Sequence, residues 1–202
     1  MNLLKTAPEK NKEKSTSSVY LSDLEQATEF FNSEEYLSTS SGNIISRKSV
    51  LFGTQNIHLH GKTIIAKDSI IRGDLSYIRI GRYCILDDGC VIRPPHKRFT
   101  KGFHFIPLNI GNYVYVGKNS VISAAQIGSH VMIGQNCVIS PLCILRDCCE
   151  IMDGSVLAPG TVVPPFSRYG GVPAKLVCEL PQCSNSMIKE HIVAKYNNFQ
   201  PQ

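Results

Sequence analysis

From Ile127 onward an aliphatic residue returns at every sixth position, through Ile133, Ile139, Leu145, Ile151, Leu157 and Val163. Four residues after each anchor stands a small or branched side chain: Val131, Cys137, Cys143, Cys149, Ser155, Thr161 and Ser167. A heptad helix cannot produce that spacing. Nor can an amphipathic helix of period 3.6 or a single half-buried strand of period 2. Short strands joined by tight corners can, so the chain reads as an all-β solenoid.

The template extends backward. Ile110, Val116 and Ile122 carry Val114 and Ser120, and Ile80, Leu86 and Ile92 carry Cys84 and Cys90. A weaker register runs through Leu59, Ile65 and Ile71 with Thr63 and Ser69, and through Ile45 and Leu51 with Ser49. Three hexads make one triangular turn of a parallel β-helix, so the pattern implies about six coils. Each would rise roughly 4.8 Å, the spacing of hydrogen-bonded strands. Stacked anchors would each contribute about 1.5 to 3 kcal/mol before chain entropy is subtracted. Gly81, Gly111, Gly117, Gly128 and Gly134 directly follow anchors, and they are expected to serve corners whose dihedrals other residues resist. Most parallel crossovers are right-handed, so periodicity by itself assigns no hand.

No apolar run approaches the roughly 18 residues of a membrane span. Met1 to Ser18 are rich in Lys, Glu, Ser and Thr without an apolar stretch, which reads as a flexible tail and not as a signal peptide. The expectation is a protein made in the cytosol. Eight cysteines without a C-x-x-C pair then read as reduced thiols. Cys84, Cys90, Cys137, Cys143 and Cys149 occupy the small hexad position. Residues six apart lie on different faces of a prism and converge poorly on one ion, so core packing outweighs metal binding.

The formal charge of +5 is not drawn into one long stripe. Its densest cluster is Arg93, Lys97, Arg98 and Lys101, interleaved with Phe99, Phe103 and Phe105 between Ile92 and Ile110. Pro94, Pro95 and Pro107 mark this segment as an excursion from the coils. Basic and aromatic residues could stack nucleobases, but a solvated loop folded against the prism, or a protein-binding surface of Arg and Phe, is the stronger reading. These seven residues are the candidate partner contact. Ser22 with Glu25 forms a capping-box pattern, and Leu24, Ala27 and Phe31 follow at helical spacing. A short helix is therefore expected before the first coil. After the last hexad, Pro164, Pro165, Gly170, Gly171, Pro173 and Pro181 read as a loop. A helix from about Ser184 to Asn197 follows, with Ile188, Ile192 and Tyr196 on one face, packed back to protect an exposed edge.

Ile71-Arg72-Gly73-Asp74 and then Ile78-Arg79-Ile80-Gly81 resemble the turn and next hexad of the gamma-class carbonic anhydrase and hexapeptide-acyltransferase superfamily. That resemblance covers most of Ile45 to Val177 and implies a left-handed parallel β-helix. Its carbonic anhydrases hold zinc with three histidines, as a catalytic zinc requires neutral nitrogen ligands and an open water position. Here the matching positions fall on Arg93, Lys118 and Ser123. His58, His60, His96, His104, His130 and His191 are scattered, and the alternating pair His58 and His60 lacks a third ligand. The Arg72-Gly73-Asp74 tripeptide reads as a structural turn and not as an adhesive motif. Gly171-Val172-Pro173-Ala174-Lys175 resembles the segment after the last coil of the acyltransferases, but no histidine stands ready as a general base.

Within the superfamily the chain more closely resembles the twenty-five-kilodalton β-helical family of dynactin pointed-end subunits. The match rests on Ser41-Gly42-Asn43, Gln55-Asn56-Ile57, Ile70 to Leu75, Val91-Ile92-Arg93-Pro94-Pro95, Ala124 to Gly128, Asp147-Cys148-Cys149 and Thr161 to Phe166. The resemblance implies a non-catalytic scaffold without metal or cofactor. It also implies three neighbours: dynactin subunit 6, which is a second β-helical subunit, the pointed-end actin-related protein, and the sixty-two-kilodalton dynactin subunit. Dynein and cargo adaptors would be engaged indirectly, in the cytoplasm on the microtubule cytoskeleton, centrosome and kinetochore included. The domain plan expected is an extension over 1–24, a helix and lead-in over 25–44, the β-helix over 45–169 with its excursion at 93–109, and a loop and helix over 170–202. The alternative is a gamma-carbonic-anhydrase-like or acyl-CoA-dependent hexapeptide transferase.

Overall fold

In the computed structural model, which describes residues 29–100 and 102–201, the hexads form three parallel faces around one core. The first face stacks Ile44–Ser46, Ile64–Ile65, Ile85–Leu86, Val114–Val116, Val131–Ile133, Glu150–Ile151 and Ser167–Gly171. The second stacks Val50–Phe52, Ile70–Arg72, Val91–Ile92, Val121–Ile122, Val138–Ile139 and Val156–Leu157. The third stacks Ile57–Leu59, Ile78–Ile80, Leu108–Ile110, Gln126–Ile127, Ile144–Leu145 and Val162–Val163. Register pairs each anchor with the anchor one coil on, as Ile92 with Ile122 and Ile139 with Leu157. The second and third faces hold six strands each, so six coils are complete.

Anchors point inward and are sealed: Ile65, Ile71, Leu86, Ile122, Ile133 and Leu157 expose no surface. The residue three places after an anchor turns the corner in the left-handed region. Lys62, Asp68, Tyr83, Tyr113, Asn119, His130, Asn136, Leu142, Cys148 and Phe166 do so with φ between 52° and 65°, a conformation costing a non-glycine residue roughly 1–2 kcal/mol. The five glycines after the anchors do not have positive φ, so the expectation that they supply corner dihedrals is corrected. They are small because neighbouring coils nearly touch there. A Cβ on Gly111 would lie 2.5 Å from the carbonyl oxygen of Gly128, and one on Gly117 would lie 2.6 Å from the carbonyl carbon of Gly134.

The fourth-offset side chains also do more than fill space. Apart from Val114 and Val131, each is a hydroxyl or thiol that donates to a backbone carbonyl at a corner. Cys84 donates to Gly111 (3.1 Å), Cys90 to Gly117 (3.2 Å), Ser120 to Gly134 (2.8 Å) and Cys143 to Ala158 (3.1 Å). Ser155, Thr161 and Ser167 donate within their own turns. Carbonyls that leave the ladder at a corner are thereby satisfied inside the prism. All eight cysteines are free thiols. Burial pushes Cys84, Cys90 and Cys149 up to about 12, which leaves negligible thiolate at neutral pH.

The two ends of the first face are closed by antiparallel strands, Tyr36–Ser38 against Ile44–Ser46 and Ala174–Glu179 against Ser167–Gly171. The segment from Gly170, expected as a loop, is thus a hairpin: its glycines and proline make a tight turn between strands that continue the sheet. Phe31 belongs to a short strand, Glu29–Phe31, paired in parallel with Phe199–Pro201, and not to a helix. The capping-box residues Ser22 and Glu25, and the extension over 1–24, lie outside the described residues. The C-terminal helix, Ser184–Asn198, matches expectation in extent but packs on the flank of the prism and not on its open edge. Ile192 is buried there among Ile64, Ile85, Phe31 and Tyr36, with Ile188 and Tyr196 beside it. Tyr196 Oη donates to the carbonyl of Gly42 (2.6 Å), and Lys195 Nζ lies 3.4 Å from Tyr115 Oη and 3.8 Å from Asp87.

Candidate functional site: an aromatic and basic hairpin

The corner between the second and third faces is where the coils depart from six-residue spacing, and the departures stack. The first coil inserts a helical turn, Thr54–Asn56, the second inserts Gly73 to Tyr77, and the third sends out an antiparallel hairpin, His96–Phe99 with Gly102–Phe105. Pro94 and Pro95 are buried at the hairpin's root. They cannot continue a ladder, and the chain leaves the prism at that point.

Cross-strand pairing sorts the candidate residues onto two faces. His96 opposes Phe105 and Arg98 opposes Phe103, while Lys97 opposes His104 and Phe99 opposes Gly102. On the inner face Phe103 and Phe105 converge with Arg93, His96 and Leu75 around a pocket of about 250 Å³. The Arg98 guanidinium lies 5.8 Å from the centre of the Phe103 ring. On the outer face Lys97 approaches the Phe99 ring at 5.5 Å, and Phe99 meets the His104 ring at 5.5 Å. Lys101 lies outside the described residues. Exposure of Phe103 (63%), Phe99 (49%) and Phe105 (40%) leaves three large rings in solvent on one hairpin, where most large apolar side chains of the prism are buried. Sequence reasoning missed Leu75 and His96. Leu75 sits in the irregular corner of the second coil, outside the hexad register, so spacing gave no sign of it.

The family zinc positions are occupied by groups that satisfy one another or a neighbour. Arg93 Nε donates to Ser123 Oγ at 2.8 Å across adjacent coils, and Lys118 Nζ lies 3.1 Å from Asp88. A guanidinium bonded to a hydroxyl offers no lone pair arrangement for a cation. Among the described residues no group of three His, Cys, Asp or Glu side chains is placed to hold a metal ion. His58 lies parallel to Tyr77 at 6.4 Å and His130 stacks on Tyr113 at 5.0 Å. Arg72 donates through Nε and Nη2 to the two carboxylate oxygens of Asp74, each at 2.8 Å, and the tripeptide closes on itself. This pairing holds the Asp74 carboxyl below its ordinary range.

Six coils of hexads, thiol and hydroxyl corners and a hairpin leaving the third coil define a hexapeptide-repeat parallel β-helix protein. The fold recurs in solved structures of low identity. A point mutant of AntD, an N-acyltransferase from Bacillus cereus, aligns with a TM-score of 0.60 at 14% identity over 82% of this chain and 98% of that one. A hexapeptide transferase family protein from Anaplasma phagocytophilum aligns with a TM-score of 0.51 at 17% identity over 77% and 92%. The family model of dynactin subunit 5 matches residues 24–202, and the chain belongs to that family. It is 50% identical over 172 residues to dynactin subunit 5 of Dictyostelium discoideum, covering 85% of this chain and 87% of that one. A probable carbonic anhydrase of Methanocaldococcus jannaschii is 43% identical over 124 residues, 61% of this chain and 73% of that one.

Proposed function

We propose that the chain serves as a non-catalytic structural subunit at the pointed end of dynactin, supporting dynein-driven microtubule transport and the engagement of adaptors and cargo. In this reading it adjoins dynactin subunit 6, the pointed-end actin-related protein and the sixty-two-kilodalton subunit, in the cytoplasm on the microtubule cytoskeleton, centrosome and kinetochore included. The observation that carries it is membership of the dynactin subunit 5 family over nearly the whole described chain. The Arg93–Ser123 bond supports the non-catalytic part, because two positions where superfamily enzymes hold zinc are tied to each other here.

The hairpin is the contact surface in this reading. Its rings and cations are the residue types enriched where proteins bury anchors against partners. Removing Arg98 and Phe103 together by alanine should leave the prism intact, since both are exposed on the hairpin, and should reduce co-purification of complex members from cytosol. Unchanged recovery of those members with the double variant would remove the hairpin from the contact surface.

A further inference from the structure

Several hydroxyls of the coils are buried and donate to backbone carbonyls, as Ser69 to Asp87, Ser120 to Gly134, Ser155 to Met152 and Ser167 to Pro164. Thr100 is placed otherwise. It is exposed, in the turn between His96–Phe99 and Gly102–Phe105. Two residues on, Gly102 has φ 130°, and a Cβ there would meet nothing within 4 Å, so the turn projects into solvent. Lys97 and Arg98 stand three and two places before Thr100, and no other Ser or Thr of the chain has a cation at both positions. Both side chains are exposed, and the hairpin has no carboxylate of its own to pair with them.

Two cations just before a hydroxyl are the charge pattern that acidic residues of a basophilic kinase select. The hairpin forms a two-stranded sheet of its own, and such hairpins are marginally stable, so its tip can open into the extended form that a kinase cleft takes. We infer that Thr100 is the phosphate acceptor of a basophilic serine/threonine kinase. Its Oγ1 attacks the γ-phosphorus of ATP and forms the new P–O bond. The bond to the oxygen bridging the β- and γ-phosphorus breaks, ADP departs with the electron pair, and the hydroxyl proton passes to the catalytic carboxylate of the kinase. The product carries about −1.5 to −2 charges at neutral pH, close in sequence to Lys97, Arg98 and Lys101, and cancels most of the positive charge of the hairpin. Phosphorylation thereby weakens association through the hairpin, a consequence that rests on the hairpin being the contact surface.

The test uses the full-length chain, ATP and the catalytic subunit of cAMP-dependent protein kinase. Phosphate should enter at Thr100, located by mass spectrometry of its peptide. A Lys97→Ala, Arg98→Ala variant should take it up roughly tenfold more slowly, while Thr100→Ser should still accept it. No phosphate at Thr100, or uptake there indifferent to loss of both cations, overturns the acceptor site. Native cytosol then reads the consequence: the phosphorylated chain should recover complex members several times less well than the same chain treated with a phosphatase. Equal recovery overturns the consequence where the Arg98→Ala, Phe103→Ala variant still loses those members. If that variant also recovers them, the contact surface is what fails, and the acceptor site stands on its mapping.

Discussion

At the scale of single residues the prism distinguishes three kinds of position. An inward anchor tolerates no charge: Ile133→Asp places a carboxylate where no surface is exposed, a cost above roughly 4 kcal/mol that should abolish the cooperative melt seen by circular dichroism. The glycine after an anchor is set by approach and not by dihedral. Gly117→Ala, whose methyl would press on Gly134, should destabilise by about 1–3 kcal/mol in chemical denaturation. Asn119, at φ 56°, should accept glycine with a change under about 1 kcal/mol, relief of the left-handed strain being offset by unfolded-chain entropy. If Gly117→Ala proved neutral while Asn119→Gly were costly, the assignment of those two roles would be reversed. His130 adds a pH dependence. Burial lowers its pKa below the ordinary 6.5, against the opposing pull of Asp147 and with a smaller contribution from Lys189. The unfolded chain therefore binds the proton first as pH falls through about 6.5, so stability should decline with acidification in that window. His130→Asn should flatten that slope in denaturant midpoints measured at successive pH values.

At the scale of elements, the closing hairpin depends on an ion pair within the sheet. Arg168 Nε meets Glu150 at 2.8 Å, with side-chain exposures of 16% and 12%. Burial raises the Glu150 pKa despite the cation, so Arg168→Met should cost about 3 kcal/mol by leaving a buried carboxylate. That cost should shrink as pH falls and the carboxylate takes its proton. A loss independent of pH in thermal melts would place the effect in packing instead. The hexads made the coils legible because each repeats its neighbour, and the helix from Ser184 was legible from Ile188, Ile192 and Tyr196 alone. Elements without a repeat were not. Gly170, Gly171 and Pro173 look the same in a loop and in a tight hairpin turn, and only the pairing of Ala174–Glu179 along Ser167–Gly171 tells them apart. Phe31 fits a helical spacing equally well, but its ring is claimed by Phe199 from the opposite end of the chain. Of the candidate site, the cations and rings were readable as a cluster. Their division between two hairpin faces, and the contribution of Leu75 from another coil, arise only from three-dimensional stacking.

At the scale of the whole molecule, no Asp or Glu stands between Asp88 and Asp147, so the hairpin of the third coil presents its cations with no carboxylate of its own. Association through this surface should weaken as salt rises from low to physiological strength, where screening shortens to about 8 Å, and a Lys97→Glu, Arg98→Glu variant should lose that salt dependence. The prism provides a rigid frame on which such a surface can be held without reorganisation, as the proposed scaffold role requires. The most direct test of this account is the size and composition of the assembly recovered with the tagged, full-length chain from native cytosol at mild salt. The prediction is a particle far larger than any homotrimer, containing in stoichiometric amounts a second β-helical subunit, an actin-related protein and other dynactin subunits by mass spectrometry. A discrete homotrimer carrying zinc or coenzyme A would contradict it.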